Sequence, residues 1–263
     1  MKTKPTYFFV SLVLILTGCR KEITFPEALA TAKTNLEAAF EILDGQMDTA
    51  ADYMVSVDMD TTLIRAKLLE LLNEPTNVDE FSWITPEGII LIIEPSKYYA
   101  YQGFDISMQD HIIKVAETKE PVLSLSFLAI EGFYAASDIH PILDNSVYLG
   151  GVDALIKTEE FIADIMEPLL IGQDFELWVM EKGGRMIYNQ DAYEIGLNLF
   201  TDPVYQDFPE LVAAAQKIND EESGTTHYSF YKTGTTEPVT KLTYWITFEH
   251  HGAEWKIVWV KPE

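Results

Sequence analysis

Cysteine and positive charge are both scarce in this sequence. It has one Cys in 263 residues, and 18 Lys and Arg against 42 Asp and Glu, which gives a net charge of −24 at pH 7. A single Cys excludes an internal disulfide and any multi-cysteine zinc or iron–sulfur site. The negative charge repels phosphate backbones and anionic lipids, so the sequence argues against nucleic-acid binding and against electrostatic attachment to a membrane surface.

Long hydrophobic runs are also absent, apart from one short run at the N-terminus. Residues 7–16 are almost entirely apolar and follow Lys2 and Lys4, but ten residues are about half of what a spanning helix needs. This pattern is typical of a signal peptide. It ends in Leu16-Thr17-Gly18-Cys19, which resembles the prokaryotic lipobox, whose Cys receives a diacylglyceryl group before cleavage.

The sequence therefore predicts a signal peptide over 1–18 and lipidation at Cys19, with the mature chain anchored to the cell membrane on its extracytoplasmic face. The alternative is an ordinary secretory signal with a chance Cys.

Motifs of common enzymes are missing too. The chain has no G-x-S-x-G, P-loop or H-E-x-x-H segment, so we predict no catalytic residue, no enzyme activity and no cofactor. His250-His251-Gly252 offers two adjacent imidazoles. Neighbouring histidines in a turn are expected to point apart, and no Cys is near, so the sequence predicts no metal site.

A long amphipathic helix is predicted over residues 26–57. Its apolar residues fall in two rows with a spacing of seven, which together make one stripe: Leu29, Leu36, Leu43, Ala50 and Val57, then Phe40, Met47 and Met54. We expect the stripe to pack along the rest of the chain. A parallel homodimer seam is the second interpretation.

The rest of the sequence predicts two copies of one αβ module. Segments 81–93 and 175–188 both read as strand, tight turn, strand. Trp83 and Trp178 are 95 residues apart, as are Gly88 and Gly183. Helices are predicted over 63–72, 108–119, 161–170 and 210–219, and closing strands over 122–130, 133–143, 147–156, 225–231, 239–249 and 254–260. Chance similarity of two β-meanders is the alternative.

This order predicts an α+β fold in which a long N-terminal helix precedes two PAS-like antiparallel-sheet modules. It resembles the double Cache domain of extracytoplasmic sensors, and is similar to Cache-domain proteins of methanogenic archaea and bacteria. The resemblance rests on four sequence segments, residues 131–142, 149–156, 178–188 and 195–205. The expected divisions are 1–18, 19–60 for the anchored segment and helix, 61–160 for the membrane-distal module, and 161–263 for the membrane-proximal module.

The resemblance implies that the distal module binds a small molecule. In amino-acid-binding members an aspartate on the last distal strand holds the ligand's ammonium, and Asp153 sits at that place. The Arg that such members use for the ligand's carboxylate is not found here, since Arg occurs only at 20, 65 and 185. Lys97 and Lys114 could replace it only as point charges. A cationic or neutral ligand is thus at least as consistent with the sequence as an amino acid.

A Cache pocket needs aromatic walls and a few fixed polar groups. The candidate ligand-binding residues are Trp83, Tyr99, Tyr101, Asp105, Tyr134, Asp138, His140 and Asp153.

The function predicted is that of an extracytoplasmic, lipid-anchored protein that binds a small molecule (an amine, an amino acid or a small organic acid). We expect it to act with a membrane signalling partner, since no output domain follows the second module. The alternative is a structural or interaction surface lipoprotein whose modules hold no ligand.

Overall fold

The computed structural model describes residues 23–74 and 77–263. The predicted signal peptide and Cys19 therefore lie outside the described residues. The described chain consists of a long helix followed by two antiparallel sheets with a helix between them, which confirms the predicted α+β arrangement. No helix within the described ranges is both long enough and apolar enough to cross a bilayer.

The first helix, α1 (Glu27–Ser56), begins directly after Pro26, as expected for a residue that suits a helix start. It contacts strands of both sheets. Every residue of the predicted stripe up to Met54 is buried against them: Leu29, Leu36, Phe40, Leu43, Met47, Ala50 and Met54. The stripe is therefore covered by the chain itself. It is not available for the parallel homodimer seam given as the second interpretation, and a homodimer through α1 stays a prediction.

The first sheet, called here the distal module, follows helix α2 (Thr61–Leu71). Its strand order is β2-β1-β6-β5-β3, and β4 pairs with β5. Helix α3 (Asp110–Thr118) covers one face. The strands are β1 (Glu80–Ile84), β2 (Ile90–Glu94), β3 (Val122–Leu123), β4 (Phe127–Leu128), β5 (Tyr134–Asp144) and β6 (Val147–Ile156).

The second sheet, called the proximal module, follows helix α4 (Thr158–Leu170). Its strand order β8-β7-β11-β10-β9 repeats that of the distal module, and helix α5 (Pro209–Asp220) covers one face. The strands are β7 (Glu176–Glu181), β8 (Met186–Tyr188), β9 (Ser223–Tyr231), β10 (Pro238–His250) and β11 (Ala253–Pro262). The predicted duplication is thus present as topology. The division at residue 160 stays a prediction and falls within α4.

The offset between the two copies differs from the predicted one. Gly103 N–H donates to Ile90 C=O, and Gly196 N–H makes the same bond to Met186 C=O. Gly88 N–H bonds Thr85 C=O, and the matching bond comes from Gly184 to Glu181. The hairpins therefore align at an offset of 96, whereas the sequence prediction of 95 paired Gly88 with Gly183. One residue is enough to reverse the face of every strand side chain.

The predicted strand over 122–130 is also wrong, because the chain breaks into β3 and β4. Ser124 N–H donates to Ser137 C=O, and Ser137 N–H donates to the Ser124 hydroxyl rather than to a backbone carbonyl. Ser126 N–H donates a hydrogen bond to the Glu181 carboxylate of the proximal module. Between β3 and β4, side-chain acceptors thus replace some of the backbone hydrogen bonds of a regular sheet. This segment also connects the distal module to the proximal one.

Candidate functional site

A small polar cavity lies in the distal module, on the sheet face that α3 covers and α1 does not. Its volume is about 30 Å³, the size of one water. β1 and β6 place alternate side chains in it, because strand side chains point to opposite faces in turn, and β5 contributes Ser137. The lining residues are Glu80, Ser82, Ile84, Ile90, Ile106, Gln109, His111, Phe127, Ile130, Glu131, Ser137, Asp153 and Leu155.

Three carboxyl groups meet in this cavity. Burial raises the pKa of Glu80 to about 10, helped by the negative charges of Glu131 and Asp153. Burial also raises the pKa of Asp153 to about 7, although a hydrogen bond donated by the Ser137 hydroxyl opposes the shift. The pKa of Glu131 is raised as well, again mainly by burial. The cavity therefore holds acids whose ionised form would be stabilised by a cation.

Two buried polar atoms of the cavity are unsatisfied. Glu80 Oε2 and Ser82 Oγ have no hydrogen-bond partner among the described residues. Both side chains are almost fully buried, and an unpaired buried polar group costs about 1–3 kcal/mol. Among the described residues, no Lys or Arg lines the cavity, and burial lowers the pKa of His111 to about 4. The arrangement thus lacks a positive partner of its own.

An open groove adjoins the cavity. It has a volume of about 560 Å³ and runs between α3, the segment from β3 to β4, and the turn between β10 and β11. Gln109, His111 and Phe127 line both spaces. The rings of His111 and Phe127 are stacked with centroids 5.5 Å apart. This ring pair forms part of the wall between the groove and the cavity.

Of the eight predicted ligand-binding residues, Asp153 lines the cavity. Tyr101 packs beside Tyr98, with ring centroids 6.2 Å apart. The Asp105 carboxylate is exposed and accepts a hydrogen bond from Ser107 N–H. These two tyrosines and Asp105 lie on the same module as the cavity but do not reach it.

The other predicted residues lie elsewhere. Trp83 packs on the α1 face of the sheet. Tyr99 donates to Glu94 and lies under the Arg65 guanidinium. Tyr134 lies under Arg185 of the proximal module. Asp138 and His140 point from β5 toward α1 and the turn between β10 and β11.

The expectation that His250 and His251 point apart is wrong. Their ring centroids are 3.9 Å apart, and both Nε2 atoms reach Oδ1 of Asp44, at 3.2 and 3.1 Å. They share this aspartate because the two-residue turn, with positive φ at His251 and Gly252, places its side chains against α1.

The sequence interpretation missed Glu80, Ser82, Glu131 and Ser137. A usable signal was present, since in the run Glu80-Phe81-Ser82-Trp83-Ile84 the polar residues alternate with aromatic ones. That alternation predicts one polar and one apolar strand face. Assigning the polar face to the pocket requires the register of β1 against β6, where Ser82 lies opposite Asp153.

The proximal module fills the equivalent space with side chains. Trp178 lies opposite Val258 on β11, and Trp245 lies opposite the same valine on β10. Trp178, Val258 and Trp245 therefore occupy the same positions in the proximal sheet. In the distal sheet these positions are held by Ser82, Asp153 and Ile139, in that order. A Cβ at Gly224 would clash with the Trp245 ring, so the glycine makes room for the indole.

The acid equivalent to Glu80 is Glu176, since Glu80 lies opposite Leu155 and Glu176 lies opposite Val260. Glu176 Oε2 accepts from Lys241 Nζ at 2.7 Å, and its Oε1 accepts from the Thr233 hydroxyl at 2.6 Å. By the same registers, Lys241 occupies the position of Ala135 in the distal module. The proximal acid therefore has a cation partner inside the protein, and the distal acid has none among the described residues that line its cavity.

Comparison with known proteins agrees with this architecture. Residues 38–158 match the model of a family described as the HK/GC/chemotaxis protein-like sensor domain. No curated protein sequence matches the chain. Among solved structures, an extracellular ligand-binding receptor from Desulfohalobium retbaense DSM5692 is 26% identical, with a TM-score of 0.75. The match covers 89% of this chain and 39% of that one, so the chain spans well under half of that receptor.

Two chemoreceptor domains share the fold over nearly their full length. The ligand-binding domain of the amino acid chemoreceptor PctB of Pseudomonas aeruginosa PAO1, in complex with L-Arg, is 12% identical with a TM-score of 0.63. The match covers 90% of this chain and 93% of that one. The domain of the Pseudomonas fluorescens chemoreceptor CtaA, in complex with L-alanine, is 11% identical with a TM-score of 0.60, at 90% and 95% coverage. The chain therefore has the double Cache fold of extracellular ligand-binding sensor domains, and its residues 38–158 are similar to the HK/GC/chemotaxis protein-like sensor domain.

Proposed function

We propose that this chain senses a small extracellular molecule bearing an ammonium group, which binds in the cavity of the distal module. It does so without catalysis, held at the outer face of the cell membrane by a lipid on Cys19. Asp153, Glu80 and Glu131 hold the ammonium. Ser82 and Ser137 complete the polar wall.

The observation that carries this proposal is the difference between Glu80 and Glu176. Glu176 is matched by the buried ammonium of Lys241. Glu80 has an unpartnered oxygen, and Ala135 stands where the lysine would be. A buried carboxyl group with an unpaired oxygen is costly, and a nearby cation would favour its ionised form. A ligand ammonium supplies in the distal module what Lys241 supplies in the proximal one.

The ligands of the two chemoreceptor domains support the same chemistry. L-Arg bound to PctB and L-alanine bound to CtaA each carry an α-ammonium. The cavity of this chain has no Lys or Arg in its described lining that could hold a carboxylate. Lys114 lines the outer groove, and Lys97 lies 3.3 Å from Asp79, away from the lining. This favours an amine over an amino acid.

Binding requires the cavity to enlarge. A volume of about 30 Å³ is far below the ~300 Å³ typical of ligand pockets. The groove beyond His111 and Phe127 supplies the missing volume if that ring pair moves aside. The ligand then lies with its ammonium among the carboxylates and its remaining atoms in the groove.

The experiment is a calorimetric titration of the purified full chain with ethanolamine, putrescine, alanine and acetate. We expect saturable binding of at least one amine and none of acetate. Asp153→Asn and Glu80→Gln should each weaken amine binding at least tenfold. Asp207→Asn, an exposed charge on the proximal module, is the control and should bind like the parent chain.

Binding of acetate with no amine binding would overturn the ammonium proposal. A flat response to a broad library of amines, amino acids and acids would favour the alternative, a structural lipoprotein with ligand-free modules. Unchanged amine affinity in Asp153→Asn would move the site elsewhere.

The proposed lipid anchor can be tested separately. The lipobox-like segment that ends at Cys19 supports the anchor. Cells expressing the parent chain should carry it in the membrane fraction, and Cys19→Ser should release it or leave its signal peptide uncleaved. Equal membrane retention of a processed Cys19→Ser chain would exclude lipidation at this residue.

A further inference from the structure

Four side chains from three parts of the fold converge at the junction of α1 and the two modules. They are Asp44 on α1, Asp138 and His140 on β5, and His251 in the turn between β10 and β11, called here the junction cluster. One ligand atom from each lies within 4.8 Å of all the others. The cluster is on the opposite face of the distal sheet from the ligand cavity.

The distances inside the junction cluster suit a bound metal. Asp44 Oδ1 lies 3.1 Å from His251 Nε2 and 3.4 Å from His140 Nε2. His140 Nε2 lies 3.8 Å from Asp138 Oδ1. Ligand bonds of about 2.1 Å in a tetrahedral site place neighbouring donor atoms about 3.4 Å apart. The donor atoms therefore stand at coordination spacing before any ion is added.

Two members of the cluster are buried without partners. Asp138 is fully buried, and neither of its carboxylate oxygens accepts a hydrogen bond from any described residue. His140 is 1% exposed, and its Nε2 also has no hydrogen-bond partner in the described chain. Both groups point into the cluster. A fully buried aspartate with two free oxygens calls for a positive partner.

A further carboxylate orients the imidazole of His140. Asp48, one turn after Asp44 on α1, places Oδ1 2.7 Å from His140 Nδ1. Such a contact fixes the proton on Nδ1 and leaves the lone pair of Nε2 directed at the cluster. Metal-ligating histidines are usually held in this way by a carboxylate or carbonyl on the other nitrogen.

We propose that the junction cluster binds one divalent first-row transition-metal ion, such as Zn²⁺, and that this ion joins α1 to both modules. Two imidazoles and two carboxylates form a mixed nitrogen and oxygen site, which suits zinc and its neighbours. Ca²⁺ and Mg²⁺ prefer all-oxygen sites. His250 Nε2, 3.2 Å from Asp44 Oδ1 and 4.0 Å from Asp138 Oδ2, is placed as a fifth donor. Asp44 and His251 are partly exposed, which gives the ion a way in.

The test is metal binding by the purified full chain after treatment with EDTA. Titration with Zn²⁺ should show one equivalent bound per chain, with a rise in Tm, and Ca²⁺ should not compete. Co²⁺ should bind with the visible absorption of a tetrahedral or five-coordinate nitrogen and oxygen site. Asp44→Asn and Asp138→Asn should abolish the stoichiometric binding. Asp48→Asn should weaken it by about 10–100-fold, the effect of removing an orienting carboxylate.

Two matched controls come from the same chain. Asp52→Asn removes an exposed carboxylate of α1, and His227→Ala removes an exposed imidazole of β9. Both should bind one Zn²⁺ as the parent does. Asp44→Asn changes a side chain near the surface, so it serves as the decisive variant if Asp138→Asn fails to fold.

The proposal is overturned if the parent chain takes up no stoichiometric Zn²⁺, Co²⁺, Ni²⁺ or Mn²⁺. It is also overturned if Asp44→Asn binds Zn²⁺ as tightly as Asp52→Asn. Neither result would bear on amine binding, because the cavity and the junction cluster occupy opposite faces of the sheet.

Discussion

The distal and proximal modules share a strand order but differ in what fills the space under their helices. The distal sheet presents Ser82 and Asp153 where the proximal sheet presents Trp178 and Val258. It leaves Glu80 with a free oxygen, whereas Glu176 is paired with Lys241. One copy is thus a polar cavity and the other a packed apolar core.

This difference shows how few positions decide whether such a sheet can bind a ligand. The two copies have the same strand order, and the backbone hydrogen bonds in and around their first hairpins match. The contrast lies in side chains on one face of three strands, so fold alone does not predict which module binds. The comparison is the reason for proposing the ligand site in the distal module, since the equivalent space of the proximal module is filled by side chains.

The largest effect is expected from Trp245→Ala in the proximal module. The ring is fully buried, and truncating a buried Trp costs about 3–5 kcal/mol. Urea unfolding should show this loss, with the amine affinity of the folded protein unchanged. Ser82→Ala at the distal cavity is the comparison and should cost less than about 1 kcal/mol. Equal losses would mean that both modules are packed cores.

A second effect is expected when the proximal ion pair is copied into the distal module. Ala135→Lys places an ammonium where Lys241 stands in the other copy, and Ala135→Met adds similar length without charge. The lysine variant should be more stable than the methionine variant by about 1.5–3 kcal/mol, the range for a charged hydrogen bond. It should also lose amine binding.

A double-mutant cycle identifies the partner of the new lysine. In a Glu80→Gln background the stability advantage of Ala135→Lys over Ala135→Met should disappear. An advantage that persists would show that the lysine pairs with another group, and the equivalence of Glu80 and Glu176 would fail.

The sequence predicted the repeated topology because turn glycines, apolar strands and helix stripes are local signals. It did not predict the face of each side chain, because that depends on register. A bulge between Pro141 and Leu143 shifts the pairing of β5 with β6, so Ile139 lies opposite Asp153, and Asp138 and His140 face α1. The offset error of one residue arose because the sequence pairs Gly88 with Gly183, whereas the turn hydrogen bonds pair it with Gly184, the second glycine of that turn.

The junction cluster was beyond sequence reasoning for a related reason. Its members are separated by up to about two hundred residues, and only the packing of α1 against both sheets brings them together. Asp153 could be predicted because a resemblance pointed to its strand. Glu80 and Ser82 required the pairing of β1 with β6.

A third prediction concerns the proximal ion pair itself. Lys241→Met leaves the Glu176 carboxylate with the Thr233 hydroxyl alone, and it should destabilise the chain by about 2 kcal/mol, less than a fully buried pair because Glu176 keeps some solvent contact. Adding Glu176→Gln should restore most of that loss in urea unfolding. A double variant as unstable as the single one would show that Lys241 contributes through packing rather than charge.

A fourth effect, small for each step in pH, is a pH dependence of stability that belongs to the distal module. Burial raises the pKa of Asp153 to about 7 from its ordinary value of 3.8. At a pH between 3.8 and about 7, Asp153 is protonated in the folded chain and ionised in the unfolded chain. The free energy of unfolding therefore falls as pH rises, by about 1.4 kcal/mol per pH unit. Unfolding of the parent and Asp153→Asn at pH 5, 6 and 7 should show this slope as their difference.

The groups facing Asp153 determine whether that slope can be removed. Glu80 on β1 and Glu131 in the loop before β5 add negative charge, and His111 on α3 stays neutral because burial lowers its pKa to about 4. A bound ammonium favours the ionised carboxylate and lowers the pKa of Asp153. A saturating amine should therefore flatten the slope of the parent chain and leave Asp153→Asn unaffected. A slope that is the same with and without amine would place the ligand away from Asp153, and the proximal module would then have to be tested as the binding copy.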